Sequence, residues 1–271
     1  MLKLDKYHYL IAGLPELEFN TNSYKKTLLE YRNELRKELL PNDFELVKIL
    51  MHEIDNKNLL NILAKHPERF LIGGNYSYEE LKTNTLNNSN LATYLQDFFL
   101  LDPFQNFPEK PDYYTHELFN LYNEFTHKTK NSFLQLWFEF NINLRNIILI
   151  LNNEKQDNGD VLLDKNKTKQ IIEKYQSKNI NQKLFFPWFE KLSEIIILST
   201  PLSIELAIEK LRWDVVNNLL LFTYFSIDVI LGYTIKLLIN NRCLNLSESF
   251  GHTKFIQITK NLEEAFDKNG A

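Results

Sequence analysis

The chain has little cysteine, glycine or proline for its length. Its 271 residues include one Cys, 7 Gly and 8 Pro. The single cysteine, Cys243, excludes an intrachain disulfide framework and every zinc site built from several cysteines, and it is typical of a protein in a reducing cytoplasm. Because glycine and proline mark turns, their scarcity argues against long loops and β-sandwich folds.

A strong charge of one sign is also lacking. The formal net charge is -4, with 31 Lys and Arg against 35 Asp and Glu. Proteins that bind nucleic acid usually present a strongly basic face, so the sequence predicts no nucleic-acid partner. The N-terminal apolar run is short and lacks a small-residue cleavage site, so no signal peptide is expected.

Helix-favouring residues dominate the composition. The sequence is 44% hydrophobic and 24% charged, and Leu, Ile, Lys, Glu and Asn outweigh Val and Thr. This usage predicts an all-α fold of long helices arranged as a bundle with several lobes. Helical spacing of apolar residues supports helices in these segments: 23–40, 41–66, 91–102, 112–155 as one helix or two, 167–178, 184–198 and a long helix from Pro201.

Turn signals divide these helices. Gly73 and Gly74 interrupt the pattern without the Lys and Ser/Thr of a phosphate-binding loop, so a plain turn is expected. Ser77 and Glu80 then have the spacing of a capping box at the next helix start. The three prolines of residues 103–111 mark the predicted boundary between an N-terminal helical lobe, 1–105, and a long-helix portion, 106–271.

One long apolar run, Leu219–Ile239, raises the question of a membrane span. It contains Asp228 near its centre and Lys236 near its end. An acid at the middle of a bilayer costs roughly 2.5 to 3.5 kcal/mol even on insertion scales. We therefore predict a buried helix of a soluble protein, continuous with the long helix from Pro201, in which each charge meets a partner on a neighbouring helix.

Candidate catalytic patterns are incomplete. Glu124 and His127 form one E-x-x-H pair, whereas carboxylate-bridged di-metal bundles need two pairs and two further Glu residues. Cys243 in an apolar segment is typical of a core residue. The sequence therefore predicts no catalytic, cofactor-binding or metal residue, and a metal-dependent helical enzyme built around Glu124 and His127 stays as an alternative.

A polar pattern recurs before three apolar runs. Each copy has Asp or Asn followed three residues later by Asn, which indicates a degenerate internal threefold repeat. The pairs are Asp55 and Asn58, Asn143 and Asn146, and Asp214 and Asn217. Positions three apart share a helix face, so both side chains can bind a neighbouring segment. Arg212, Asp214, Asp228 and Lys236 are likewise predicted to be internal structural ties.

Three parts of the sequence resemble a bacterial family that is encoded alongside V-type ATP synthase subunits. They are the opening KYHYLIAGLPEL, the block EIDNKNLLNIL, GNYSYEEL and LATYLQDFF, and the late YFSIDVILGYTIKLLI. That family is similar to a shortened C subunit, also called d, of A/V-type rotary ATPases. The repeated Asp/Asn pairs are similar to the repeated helical units of that subunit.

The resemblance implies a non-catalytic part of the central stalk. Such a subunit is a helical funnel at the cytoplasmic face of the membrane rotor ring, where it receives the tip of the shaft and transmits torque for ion transport. Its expected partners are the shaft subunits and the rotor ring, and no cofactor is expected. A helical adaptor or scaffold unrelated to rotary ATPases is the main alternative.

Overall fold

The computed structural model describes residues 7–22, 24–82, 91–157, 188–195 and 200–246. These residues form helices and connecting turns with no strand among them, which confirms the predicted all-α fold. The α-helices are α1 (His8–Ala12), α2 (Leu28–Glu38), α3 (Pro41–Leu63), α4 (Tyr78–Lys82), α5 (Thr93–Phe99), α6 (Pro103–Asn106), α7 (Pro111–His127), α8 (Ser132–Asp157), α9 (Trp188–Ile195), α10 (Pro201–Leu219) and α11 (Ile227–Asn245).

The chain divides into two compact units, and each contains separate stretches of sequence. The predicted boundary at residues 105 and 106 does not coincide with this division, because both residues belong to the first unit. The first unit comprises Met1–Leu14, Lys26–Asn146 and Thr223–Thr234, and the second comprises Pro15–Lys25, Ile147–Phe222 and Ile235–Ala271.

The first unit has a core rich in aromatic side chains. Helices α3, α4, α5 and α7 pack around it, with Tyr94 and Phe98 of α5 near its centre. Phe98 meets Tyr114 of α7 edge-on, with ring centroids 6.2 Å apart. Aromatic rings bury large apolar areas, and this edge-on geometry is a favoured one, so a few short helices can share one core.

Local sequence signals explain where these helices begin. Thr27 and Glu30 form a capping box at the start of α2, and prolines occupy the first positions of α3 and α7, where no backbone N–H is needed. The predicted capping box at α4 is confirmed, because the Glu80 carboxylate accepts from the Ser77 backbone N–H at 2.7 Å and the Ser77 hydroxyl accepts from the Glu80 N–H at 3.3 Å.

The second unit contains α9, α10 and parts of α8 and α11. Its buried apolar side chains include Trp188 and Leu192 of α9 and Leu211 and Trp213 of α10. Helix α10 begins at Pro201, as the sequence predicts, behind a Thr200 cap. Phe19 packs edge-on against the Trp213 ring, with centroids 5.7 Å apart.

The apolar run Leu219–Ile239 is not part of one continuous helix, and the expectation of a single long helix from Pro201 is wrong. Helix α10 ends at Leu219 and α11 begins at Ile227. Between them the backbone turns, with Phe225 in the left-handed region at φ 49°. Phe222 is 87% exposed. No helix in the described ranges combines the length and apolar character that crossing a bilayer requires.

Three further expectations concern α7, α8 and the segment that follows them. The region 112–155 forms two helices, α7 and α8, which was one of the two arrangements expected. Helix α8 extends to Asp157, slightly beyond the predicted end of this helical region at residue 155. The predicted helix 167–178 lies outside the described residues.

Candidate functional site

The first predicted polar pair, Asp55 and Asn58, holds the loop 71–76 against α3. Both side chains are 0% exposed. The Asn58 amide donates to the Leu71 carbonyl at 2.8 Å and accepts from the Leu71 N–H at 2.7 Å. These two bonds satisfy both backbone groups of Leu71, so a buried side chain replaces the backbone partners that a sheet or helix would supply.

Asp55 binds the same loop farther along the chain. Its Oδ1 accepts from the backbone N–H groups of Asn75, at 2.7 Å, and Tyr76, at 3.2 Å. Its Oδ2 accepts from the Asn75 side-chain amide at 2.8 Å and lies 3.0 Å from His52 Nδ1. A carboxylate without solvent contact needs such a complete set of donors to offset its lost hydration.

His52 completes this arrangement from one turn earlier on α3. The ring is buried and lies against three aromatic rings, with centroid distances of 5.8 Å to Tyr76, 5.3 Å to Tyr94 and 5.6 Å to Phe125. The Nδ1 atom of this ring, which faces Asp55, also lies 3.2 Å from the Asn75 side-chain amide nitrogen. We call His52, Asp55, Asn58 and Asn75 the α3 clamp.

Both glycines of the loop lie where a side chain would not fit. Gly73 has φ 118°, a conformation that side chains disfavour, and a Cβ there would lie 2.8 Å from the Leu28 Cβ. A Cβ on Gly74 would overlap Asp55 Oδ1. The predicted plain turn is therefore also a place where the backbone approaches a buried carboxylate too closely for any other residue.

A cavity of 560 Å³ lies beside the α3 clamp, between α2, the start of α3 and the clamped loop. We call it the α2–α3 cavity. Its lining combines three basic side chains, two acidic ones, one amide, three apolar side chains and one tyrosine. The lining residues are Arg32, Arg36, Leu39, Pro41, Phe44, Glu45, Lys48, Asn75, Tyr76 and Glu80.

The cavity charges have different environments. Lys48 pairs with Glu45 at 2.9 Å. The Arg32 guanidinium donates to the Gly74 carbonyl, and burial lowers its pKa although Asp55 opposes that effect. Glu80 accepts from the Ser77 backbone, and this bond is the main reason that its pKa is lowered. Arg36 is exposed, and no carboxylate in the described part of the chain forms an ion pair with it.

The structure places the predicted ties Asp228 and Lys236 in different units. Asp228 accepts from the Asn131 side-chain amide at 2.7 Å, and the side-chain Oδ1 of Asn131 accepts from the Leu134 N–H at the start of α8. Lys236 lies over the Trp213 ring, with Nζ 5.0 Å from the centroid. Burial lowers the pKa of Lys236, and Lys210 lowers it further.

Arg212 and Asp214 bind different partners in the second unit. The Arg212 guanidinium donates to Glu209 at 3.1 Å, and Asp214 lies 3.0 Å from Lys210. Glu209 is fully buried and also meets Arg242 of α11 at 3.0 Å. Sequence reasoning missed Glu209 and Arg242, since only the packing of α10 on α11 brings them together.

The other two polar pairs have environments unlike that of Asp55 and Asn58. Asn143 is 4% exposed on α8, whereas Asn146 is partly exposed. Asn217 is exposed near the end of α10, which corrects its interpretation as an internal residue. The shared spacing therefore does not produce one repeated arrangement of side chains.

The structure also shows where the residues of the alternative metal-site and nucleophile interpretations lie. Glu124 and His127 are exposed on α7. Across the described ranges, no group of three or more His, Cys, Asp and Glu side chains is placed to hold a metal ion. Cys243 is 1% exposed, and burial together with Glu209 raises its pKa to about 11, which disfavours the thiolate that a nucleophile requires.

Comparison with known proteins gives one match. No curated protein and no solved structure has significant similarity to the chain. The model of one protein family matches residues 4–266, which include the α3 clamp and all residues of α10 and α11. The chain therefore belongs to the family described as protein of unknown function (DUF2764).

Proposed function

We propose that the chain is a non-catalytic central-stalk subunit of a V-type ATPase. In this role it links the rotor shaft to the membrane ring from the cytoplasmic side and transmits torque. One observation carries the proposal: three of the sequence blocks that resemble the bacterial family encoded alongside V-type ATP synthase subunits supply Asp55, Asn58 and Asn75 of the α3 clamp and part of the core around it. These blocks are residues 53–63, 74–81 and 91–99.

The α3 clamp suits a mechanical part because it ties a loop to a helix through buried bonds. The loop 71–76 is bound at Leu71 by Asn58 and at Asn75 and Tyr76 by Asp55. Close-packed interiors have low compressibility and transmit strain, and buried hydrogen bonds between segments add rigidity to them. A loop held in this way moves together with α3 when force is applied.

Exposed aromatic residues of the first unit provide a surface for docking. Tyr9 is 96% exposed and Tyr224 is 69% exposed. Their sequence neighbours His8 and Phe225 pack ring against ring, with centroids 4.1 Å apart, so α1 and the turn before α11 lie side by side. Aromatic residues are enriched at protein interfaces, where one ring buries much area at a small entropic cost.

Purification from the native cell tests the proposal. The tagged chain is extracted from membranes in mild detergent, and the proteins that accompany it are quantified by mass spectrometry. Shaft and rotor-ring subunits of the ATPase should be recovered in fixed ratio to the chain. A Tyr9→Ser/Tyr224→Ser variant should recover at least tenfold less of them, while Ile72→Ser, which changes another exposed apolar residue of the first unit, should behave like the unchanged chain.

The outcomes separate the two candidate functions. If neither shaft nor ring subunits accompany the chain, the central-stalk function is wrong. If a different protein is recovered in fixed ratio and is lost in the Tyr9→Ser/Tyr224→Ser variant, the chain is a helical adaptor unrelated to rotary ATPases. Loss of binding in the Ile72→Ser control as well would show that the aromatic surface is not the specific contact.

A further inference from the structure

We propose that the α2–α3 cavity binds a small organic phosphate, with Arg32 and Arg36 as the residues that hold the phosphate group. This site goes beyond the proposed central-stalk function, and the two can succeed or fail separately. The cavity lies wholly in the first unit, so its ligand binding can be measured on the isolated chain.

The two arginines are placed to share one anion. They are four residues apart on α2, so their side chains lie on one helix face, and both line the cavity. Each guanidinium offers five N–H donors, and one donor of Arg32 is used by the Gly74 carbonyl. That bond fixes the Arg32 side chain, which lowers the entropic cost of gripping a ligand.

The charge of the cavity lining favours an anion. Three basic side chains, Arg32, Arg36 and Lys48, face two acidic ones, Glu45 and Glu80, which leaves a formal charge of 3 − 2 = +1. Lys48 and Glu45 neutralise each other as an ion pair. The Glu80 carboxylate accepts hydrogen bonds from the Ser77 backbone N–H and from the Ser77 hydroxyl. Arg36 is thus the basic group left for an outside partner, one turn from a second arginine.

The size and apolar wall of the cavity indicate that the ligand carries an organic part. A volume of 560 Å³ lies within the range of about 300–1,000 Å³ that is usual for small-molecule sites. An inorganic phosphate ion would occupy only a small fraction of it. Leu39, Pro41 and Phe44 line the cavity and can contact a carbon skeleton, and the Tyr76 ring adds an aromatic face.

A phosphate group fits the two arginines better than a carboxylate does. Guanidinium groups match phosphate oxygens in paired, parallel hydrogen bonds. A phosphate monoester has three terminal oxygens and can therefore engage two guanidinium groups at once. A single carboxylate has two oxygens and one negative charge, so it offers a second guanidinium fewer acceptor sites and less charge than a phosphate monoester does. The shared chemistry of the expected ligands is the phosphomonoester, whether it is attached to a nucleoside or to a sugar.

Isothermal titration calorimetry with the full chain tests this site. The probes are AMP, fructose 6-phosphate, inorganic phosphate, adenosine, fructose and citrate. At least one of the two esters should bind, and at least tenfold more tightly than inorganic phosphate and than its own uncharged counterpart. The better ester identifies the source of the phosphate as a nucleotide or a sugar.

Matched variants locate the binding. Arg36→Gln should weaken the binding of the ester at least tenfold, because it removes a charged donor that forms no ion pair with a carboxylate of the described residues. Lys37→Gln removes the same charge from the next residue of α2, which is exposed and does not line the cavity, so affinity should stay within twofold. Thermal unfolding should show that both variants are as stable as the unchanged chain.

Three results would overturn the site. The site is wrong if neither ester binds at 1 mM. It is also wrong if Arg36→Gln and the unchanged chain bind the ester with equal affinity. Citrate binding as tightly as the better ester would replace the phosphate assignment with a carboxylate one. None of these results depends on whether the chain assembles with a rotary ATPase, so failure here and failure of the proposed function are distinguishable.

Discussion

Replacing Asn58 with Ala should destabilise the first unit more than any other single Asn-to-Ala change on α3. The side chain is buried and makes two hydrogen bonds to the backbone of Leu71, at 2.8 Å and 2.7 Å. Each such bond contributes about 1 kcal/mol net, and the Leu71 N–H and C=O would lose their partners in a partly buried loop. We therefore expect the free energy of unfolding to fall by about 2 to 4 kcal/mol.

Asn61 is the matched control. It lies three residues later on the same helix and donates one bond, at 3.1 Å, to the Arg69 carbonyl at an exposed position. Asn61→Ala should cost under about 1 kcal/mol. Both changes raise helix propensity by a similar amount, since Ala favours helices over Asn by up to about 0.7 kcal/mol, so this gain cancels in the comparison.

Urea unfolding followed by circular dichroism measures both variants. Hydrogen exchange of the Leu71 amide gives a local readout, and its protection should be lost in Asn58→Ala and kept in Asn61→Ala. If both variants lose the same stability, water replaces the two buried bonds without net cost, and the α3 clamp does not stabilise the loop. If protection at Leu71 survives Asn58→Ala, the loop is held by packing alone.

Two further predictions concern a close backbone approach and the buried thiol. Gly74→Ala should lower the free energy of unfolding by about 1 to 3 kcal/mol, because the new Cβ overlaps the Asp55 carboxylate. Gly13→Ala is the control: its Cβ would lie 3.3 Å from the Tyr9 carbonyl oxygen, and the free energy of unfolding should change by about 0.5 kcal/mol or less. Equal losses of stability in urea titrations of the two variants would contradict the overlap at Gly74. Cys243, with a pKa raised to about 11, should react with a thiol reagent at pH 8 at least 100-fold more slowly in the folded than in the unfolded chain. Because the thiol ionises at lower pH in the unfolded chain than in the folded chain, the free energy of unfolding should fall as the pH rises from 9 towards 11. Fast labelling of the native thiol at pH 8 would refute this account, and so would a free energy of unfolding that rises between pH 9 and 11.

Local features of the fold could be predicted because they depend on neighbours in the chain. The all-α class follows from composition, and the Ser77 to Glu80 capping box and the Pro201 helix start follow from residues within one helical turn. Asp55 and Asn58 were singled out by their three-residue spacing, which places both on one face of α3.

Features that depend on distant parts of the chain could not be predicted in this way. The spacing that singles out Asp55 and Asn58 also occurs at Asp214 and Asn217, yet Asn217 is exposed. Periodicity records that side chains share a face and does not record what that face meets. The cavity between α2 and α3 likewise depends on how the loop 71–76 folds back.

The sequence by itself determined that the chain is helical, where several helices begin, and which polar residues of α3 lie on a common face, because these properties are set within one or two turns of backbone. Only the tertiary structure decided that the apolar run from Leu219 breaks before α11, that Glu209 meets Arg242, and that two arginines line one cavity with Tyr76. The physical reason is range: a helix forms through bonds four residues apart, whereas burial and charge pairing depend on segments that only folding brings together.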